Sequence, residues 1–506
     1  MQHGFLIGLD IGTQSTRALL LEPDGRTLAC VRRTTPTRRI DDHSAEYDPD
    51  ALWSCVLETL RELASHVPRG GRVAGISCAS IGESCVLVGA DGEALAPALA
   101  WFDRRTEIDG ELVAARIGVD RLFEITGYQP DHTLSLCKLL WHRRTHPDVF
   151  AHVKRVLPIS PWILFKLSGV AAIDPSLASR TLCLDVQTGC WAGELLNEFD
   201  FDHDIFPPIL ASGTPLGPLL PQIQTEIGLA GSPIISVGAQ DHISGGFATG
   251  VGRPGMFLDS LGTSEALLVT AKTPPLSTKH RYLGFVQTSA CVDDNFYLIG
   301  SGLNRSGGAI EWACRTIGAG VSRDALLGEA MAEPPGSGGV LFVPNLAGST
   351  APNPDSNATG AFVGLTDATR RGTMFRAVLE GVAMEARMVS DALFSLPGVG
   401  KPDELRVIGG GIRNSLFLQI KASVLGRSLV VCEEPEMTAV GAALLGGIGA
   451  GLWPTFQDAL STVKLSTFEV LPNAEWTKVY DELYSLVYSG LHLALGAVNR
   501  GTAAFR

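Results

Sequence analysis

Gly8-Leu-Asp-Ile-Gly-Thr-Gln-Ser-Thr-Arg-Ala-Leu-Leu-Leu21 is the stretch on which the reading of the fold turns. An apolar strand, Phe5 to Leu9, runs into a single carboxylate, Asp10. A small-residue turn follows, Gly12 to Thr16, and then a second apolar strand from Ala18 to Leu21. Pro23-Asp24-Gly25 predicts another turn, with the chain returning through Thr27 to Val31. A turn of Gly, Thr, Gln and Ser exposes backbone N–H groups and hydroxyls, which can cradle a phosphate without a lysine. Asp10, at the strand end beside it, is placed to hold a hydrated Mg²⁺. Taken alone, the same residues also read as an ordinary hairpin with a polar turn.

The pattern returns at Gly255-Met-Phe-Leu-Asp-Ser-Leu-Gly-Thr-Ser-Glu-Ala-Leu-Leu-Val269. Both stretches run an apolar strand into an Asp (Asp10, Asp259), then Gly-Thr with a Ser, then Ala-Leu-Leu. Recurrence near the start of each half predicts a duplicated domain. At 506 residues the chain is too long for one core, so two domains are the default.

Between the two turns the order is strand, helix, strand. Asp48-Pro49-Asp50 predicts a helix start, with Leu52, Val56, Leu60 and Leu63 on one apolar face. A strand follows at Val73 to Cys78, and together these make a βαβ unit. Ala79-Ser-Ile-Gly-Glu83 comes straight off that strand. Helices are predicted over Leu134 to Trp141 and Trp162 to Leu167. A buried strand, Ile234 to Val237, ends in Gly238-Ala-Gln-Asp241-His242. In the second half a long helix is predicted over Thr373 to Phe394 and a strand over Leu405 to Ile408. After the turn Gly409-Gly410-Gly411 come helices from about Asn414 to Leu425 and from Thr438 to Leu452. The small residues of the last helix permit close packing.

A net charge of -13 argues against nucleic acid as a main partner, because phosphate backbones are bound by basic faces. Met-Gln-His-Gly-Phe has no basic n-region, and the longest uncharged apolar run, Ala439 to Pro454, is short and Gly-rich for a membrane span. The ten cysteines include no Cys-x-x-Cys pair and read as reduced, mostly buried small hydrophobes. A cytoplasmic α/β protein is expected. Asp241, ahead of Ser244-Gly245-Gly246, is expected at a helix start, where its plain structural role would be the N-cap.

These motifs in this order resemble the FGGY carbohydrate kinases, within the actin/hexokinase-like ATPase superfamily. The resemblance runs from Gly8 to about Leu452. Its anchors are Gly8-Leu-Asp-Ile-Gly-Thr, Trp101-Phe-Asp-Arg-Arg, Val237-Gly-Ala-Gln-Asp, Ser260-Leu-Gly-Thr-Ser, Arg376-Ala-Val-Leu-Glu-Gly-Val, Gly409-Gly-Gly-Ile-Arg-Asn and Gly441-Ala-Ala-Leu. It implies two ribonuclease-H-like domains, 1–249 and 250–506, flanking a deep cleft, with sugar mainly on the first and ATP mainly on the second. By the same resemblance Asp241 is the catalytic base and Asp10 the Mg²⁺ carboxylate. Thr13, Gln14 and Arg17 belong to the first phosphate turn, and Gly262 and Thr263 to the second. Gly308, Gly410, Gly411 and Asn414 lie along the nucleotide.

The substrate is expected to meet Glu83, Gly82, Asp103, Trp101 and His242. Xylulose kinases look like Gln-Met-His-Gly after the Val73 to Cys78 strand and glycerol kinases like Asn-Gln-Arg-Glu-Thr, where this chain has Ser80-Ile-Gly-Glu-Ser84. Glu83 can accept two hydroxyls, and Gly82, in place of Met or Arg, is expected to open the pocket. Trp101 to Arg105 fits the sugar-kinase form, which makes Asp103 a second sugar contact; Glu83 as a surface-loop residue and Trp101 as plain core are the bland readings. His242 reads a hydroxyl or caps the helix. Two departures from the family stand at Leu346-Ala-Gly-Ser-Thr-Ala-Pro and Ser423.

The leading expectation is an ATP-dependent kinase of a small ketose, with a ketopentose favoured. A glycerol- or tetritol-type polyol kinase is the runner-up, suggested by Glu83. A non-catalytic sugar-binding regulator is the remote alternative, disfavoured by the intact Asp10, Thr13, Asp241 and Thr263. Partners are a small sugar or polyol, with neither nucleic acid nor membrane; a homodimer stays open.

Overall fold

The computed structural model describes residues 4–505 apart from 42, 252–254, 272–275 and 290–296. The opening hairpin forms with strands longer than the sequence suggests: β1 (Phe5–Ile11) and β2 (Ser15–Leu21) pair antiparallel, and β3 (Thr27–Thr34) extends the meander. The turn Gly12–Gln14 is closed by the Gly12 N–H donating to the Ser15 carbonyl at 3.0 Å. α1 (Pro49–Ala64) starts as Asp48-Pro49 predicts. The Asp48 carboxylate accepts from the Asp50 and Ala51 N–H groups, and Pro49 takes a first-turn position where no N–H is needed. Leu52, Val56, Leu60 and Leu63 are all buried. The chain then enters β4 (Val73–Ser80), parallel to β1. With β5 (Pro215–Pro218) and β6 (Ile234–Ser236) the first sheet reads β5-β6-β4-β1-β2-β3, and Ala239–Gln240 adds a short pairing to β4.

The echo of the hairpin builds a second sheet. β7 (Met256–Leu261) and β8 (Glu265–Ala271) pair antiparallel around a turn of the same length, Gly262–Ser264. β9 (Val286–Ser289), β10 (Tyr297–Leu303), β11 (Glu404–Ile408), β12 (Leu429–Cys432) and β13 (Thr467–Val470) complete the order β9-β10-β8-β7-β11-β12-β13. β11 runs parallel to β7 as β4 does to β1, and β12 parallel to β11 as β6 does to β4. The edge strands β13 and β5 are both antiparallel to their neighbours. Shared order and shared strand sense are what duplication predicts. The sheets differ at their edges: β9 has no counterpart in the first sheet, and β5 precedes β6 in the chain whereas β13 follows β12.

Among the helices around these sheets are α2 (Pro175–Arg180), α3 (Asp241–Ala248), α4 (Gly307–Thr316), α5 (Arg371–Phe394), α6 (Ser415–Leu425) and α7 (Met437–Gly449). α5 sends Phe375, Val378, Leu379, Val382, Ala386 and Val389 into the core beneath the second sheet. α3 and α7 pack on each other between the halves. α7 lies against β1 and β4 of the first sheet, while α3 meets Leu258 of β7 and Ile408 of β11. Backbones approach closely here: a Cβ on Gly8 would overlap the Ala439 carbonyl, and one on Gly441 the Ser244 carbonyl. Leu6, Phe247, Leu258, Val440 and Leu444 thus share one core across both halves.

The described cysteines are all free, with five buried and Cys30 and Cys190 exposed; Cys291 lies outside the described residues. Among the described residues no helix is long and apolar enough to cross a membrane.

Candidate active site

Asp10 sits near the end of β1 beside Ala79 of β4 and opposite Arg17 of β2. Its side chain is almost fully buried, and the Arg17 Nη1 donates to Oδ2 at 2.6 Å. Burial pushes Asp10 up to about 7; Arg17 pulls it down, and the charge of Asp241 pushes it up again. Arg17 was placed at the phosphate turn by resemblance. Here its guanidinium spans Asp10 and, at 3.1 Å from Nε, Glu436, the residue that precedes α7. It therefore ties the first hairpin to a helix of the second half. Thr13 Oγ1 accepts from the indole Nε1 of Trp101 at 2.9 Å, and that large ring stays 39% exposed. Trp101 is thus an exposed ring held by Thr13, not core.

Glu83 follows β4 with its side chain 15% exposed, and its Oε1 lies 3.2 Å from the Arg180 Nη1 at the end of α2. Gly82 does not open the pocket as expected. The Arg180 chain fills the space, so that a Cβ on Gly82 would stand 2.7 Å from Arg180 Cγ. Asp103 is completely buried, and its carboxylate accepts from the Ala45 N–H at 2.9 Å and from Arg105 at 2.8 to 3.1 Å. With both oxygens engaged it faces the protein interior, so the structure does not present it to the cleft. Its oxygens anchor the Trp101 to Arg105 loop instead.

Asp241 is the first residue of α3, and the N-cap is Gln240, whose Oε1 accepts from the Ile243 N–H at 3.2 Å. The structural role read for Asp241 thus belongs to its neighbour. Its own Oδ1 accepts from the His242 N–H at 2.7 Å and from the Gln240 side chain, and the side chain keeps 22% of its surface exposed. A carboxylate at a helix N-terminus sits in the favourable field of the helix dipole. The His242 ring is half-exposed, 4.0 Å from that carboxylate.

A cavity of about 700 Å³ gathers Gln14, Gly262, Thr263, Gly308, Gly410, Gly411 and Asn414. Residues from three separate stretches of the second half, and one from the first, therefore meet at one place. Gly409 leads in with φ +94°, and a Cβ there would lie 2.5 Å from the Leu261 carbonyl oxygen, so only glycine fits. Nothing stands within 4 Å of where a Cβ on Gly410 would point. Asn414 caps α6 through Oδ1, which accepts from the Phe417 N–H at 3.0 Å. Its buried Nδ2 has no partner among the described residues, a donor left over at the cavity wall. Arg305, Arg315 and Arg323 also line the cavity. Reading the sequence missed all three, because isolated arginines carry no signal until the loop at Arg305, α4 and the helix Arg323–Met331 bring them together.

The second turn is stapled from behind. The N–H groups of Ser306 and Gly308 donate to the Thr263 carbonyl at 3.0 and 2.9 Å, and that of Gly307 to the Gly262 carbonyl at 3.1 Å. The Ser306 Oγ donates to Glu265 at 2.6 Å, and Glu265 in turn accepts from Lys421 at 2.6 Å. Lys421 also reaches Asp259 at 2.5 Å, with all three charged side chains fully buried. Asp259, the echo of Asp10, thus belongs to a buried charge triad. Burial first, and then the Glu265 charge, push it up to about 8.

Comparison with known proteins fits this geometry. The model of the FGGY family of carbohydrate kinases matches over residues 5–248 with its N-terminal domain and 258–450 with its C-terminal domain. The chain belongs to the FGGY family of carbohydrate kinases. It is 34% identical over 472 residues to the glycerol kinase of Gloeobacter violaceus, covering 90% of each chain. To the xylulose kinase of Bacillus subtilis it is 26% identical over 504 residues, covering 99% of each. The crystal structure of ligand-bound xylulose kinase from Lactobacillus acidophilus superposes with a TM-score of 0.90 at 25% identity, covering 99% of this chain and 100% of that one. This FGGY kinase is a phosphotransferase with an alcohol group as acceptor, of the two-domain actin-like ATPase fold, acting on a sugar or polyol. FGGY kinases use ATP as the phosphate donor.

Proposed function

We propose that this FGGY kinase transfers the γ-phosphoryl group of ATP to a hydroxyl of a short neutral polyol of the glycerol or tetritol type, with Asp241 as general base. The observation that carries the reading is the place of Asp241. It opens α3 between the two halves, with Asp10 and the Glu83–Arg180 pair near enough for their charges to act on one another. A carboxylate so placed takes the proton of an acceptor hydroxyl as the phosphoryl group transfers. The rest of the catalysis is positioning and charge stabilisation, which the Gly12–Gln14 and Gly262–Ser264 turns and the arginines of the cavity are suited to supply. The unpartnered Asn414 Nδ2 and the open face at Gly410 suit a flat adenine.

Magnesium suits Asp10. Among the described residues no cluster of three or more His, Cys, Asp or Glu side chains forms a protein cage. Mg²⁺ needs none, because it is held by one or two carboxylates together with waters and substrate phosphates. Bound there, it would neutralise charge on the phosphates. Closure of the two halves, hinged at the shared core of α3 and α7, would exclude water from the transfer.

The shorter acceptor is favoured by Arg180, which fills the space beside Gly82, and by the inward-facing Asp103, which withdraws one expected sugar contact. A ketopentose is the second reading, favoured by the likeness to xylulose kinases along nearly the whole chain. Asp241→Ala should abolish phosphorylation while ATP still binds, as read by ADP release and by nucleotide titration. Turnover like that of the wild type in this variant would sink the base assignment. A coupled ADP-release screen over glycerol, erythritol and ketopentoses separates the two acceptor readings.

A further inference from the structure

Arg180 reaches the acceptor side from an element that carries no motif. It ends α2, whose Asp174 cap accepts from the Ser176 N–H at 2.8 Å and the Leu177 N–H at 3.3 Å. The Ser176 Oγ of the same turn accepts from the Gln240 N–H at 2.9 Å. The helix that carries Arg180 is therefore hydrogen-bonded to the residue immediately before Asp241, so the guanidinium and the carboxylate are held in a fixed relation.

The chain of Arg180 then runs over Gly82, with its guanidinium 5.6 Å from the Tyr128 ring centroid and 3.2 Å from Glu83. A guanidinium carries five N–H donors. Among the described residues no hydrogen bond engages the others, and 27% of the side chain remains exposed. Glu83 likewise has acceptor capacity left beyond this one contact. Spare donors and spare acceptors stand side by side, next to the proposed base.

We infer that Arg180 is a substrate-recognition residue whose guanidinium, coupled to the Glu83 carboxylate, grips neighbouring hydroxyls of an uncharged polyol, and that Gly82 lacks a side chain to admit it. The inference rests on the proposed reading of Glu83 and Asp241 as the acceptor site. Charge selects a neutral ligand: Glu83, Asp241 and Asp131 act on the Arg180 guanidinium, and Glu83 and Asp131 act also on the buried Lys138, so the three carboxylates outnumber the two cations and an anionic acceptor would meet the excess. One donor cluster and one acceptor side by side suit adjacent hydroxyls, each of which can both donate and accept.

The test is steady-state kinetics of the full chain and of Arg180→Met and Arg180→Lys, with glycerol, erythritol, D-xylulose and D-gluconate as acceptors and the KM for ATP measured separately. Arg180→Met should raise the KM of the best neutral acceptor about ten- to a hundredfold, the range for a lost hydrogen bond to a charged group. The KM for ATP should stay within about twofold of wild type, since Arg180 is not on the nucleotide cavity. Arg180→Lys should recover part of the loss, and a deoxy acceptor lacking one of the gripped hydroxyls should be penalised less by Arg180→Met than its parent. An unchanged acceptor KM in Arg180→Met, or acceptor and ATP KM values rising together, overturns the inference. So does gluconate outranking every neutral acceptor. If the wild type phosphorylates none of the neutral acceptors, the acceptor-site reading itself fails and takes the inference with it. That result is distinct from an active wild type whose Arg180 variants are indifferent.

Discussion

Lys421→Met tests whether the buried triad holds the Gly262–Ser264 turn, the second of the two turns proposed to meet phosphate. Methionine keeps the length and apolar stem of the lysine, so packing is largely retained and the charge is what changes. Lys421 makes two contacts, 2.5 Å to Asp259 and 2.6 Å to Glu265, with none of the three side chains exposed. Removing one partner of a buried ion pair costs about 3–5 kcal/mol. Burial and the Glu265 charge push Asp259 up against the pull of Lys421, so the variant removes the group that favours its ionised form. A loss near the middle of that range, about 4 kcal/mol, is expected at pH 8.

The sign with pH follows from proton linkage. Without the cation, Asp259, whose folded value lies above the unfolded value near 4, binds more protons folded than unfolded, so stability falls as pH rises from the unfolded value through the folded one. The wild type is less affected because Lys421 pulls Asp259 down. The penalty should therefore be smaller at pH 5 than at pH 8. Thermal unfolding should show a drop of roughly 8–16 °C at pH 8 for a half of this size. Because Glu265 also accepts from Ser306, the KM for ATP should rise more than that for the acceptor. A loss under about 1 kcal/mol at pH 8, or a larger penalty at pH 5, would refute the account.

Other expectations follow from single contacts. Glu83→Ala should raise the acceptor KM by about tenfold or more with little change for ATP; equal effects on both would place Glu83 outside the acceptor site. Asp10, raised to about 7, should make the metal-free protein less stable as pH rises from about 4 to about 7, on the order of 4 kcal/mol, and Asp10→Asn should remove that slope in urea unfolding. A slope that survives in Asp10→Asn would assign it to another group. Gly8→Ala forces a methyl onto the Ala439 carbonyl and should cost about 1–3 kcal/mol or more by parting β1 from α7, read as a lowered Tm. An unshifted Tm there would mean that the close approach is soft.

Much of the fold was legible in the chain because its signals are local. The hairpin at Gly8 to Leu21 and its echo at Gly255 to Val269 show themselves through apolar runs and turn residues, and the sheets built on them share strand order and sense. Asp48-Pro49 marked a helix start because capping is settled within a few residues. The cavity proposed to take the nucleotide draws on Gly262, Gly308, Gly410, Gly411 and Asn414, residues singled out in the sequence because their types answer a local backbone demand.

The acceptor side was not legible in the same way. Arg17 lies between Asp10 and Glu436, Asp103 turns inward to Arg105, and Gln240, not Asp241, caps α3. The gap left at Gly82 is taken by Arg180 from a distant short helix, and Asp259 is matched by Lys421 from α6. Each of these depends on which remote side chain occupies a given space. A residue's type sets what it can bond; only the packing of far-separated elements decides what it meets.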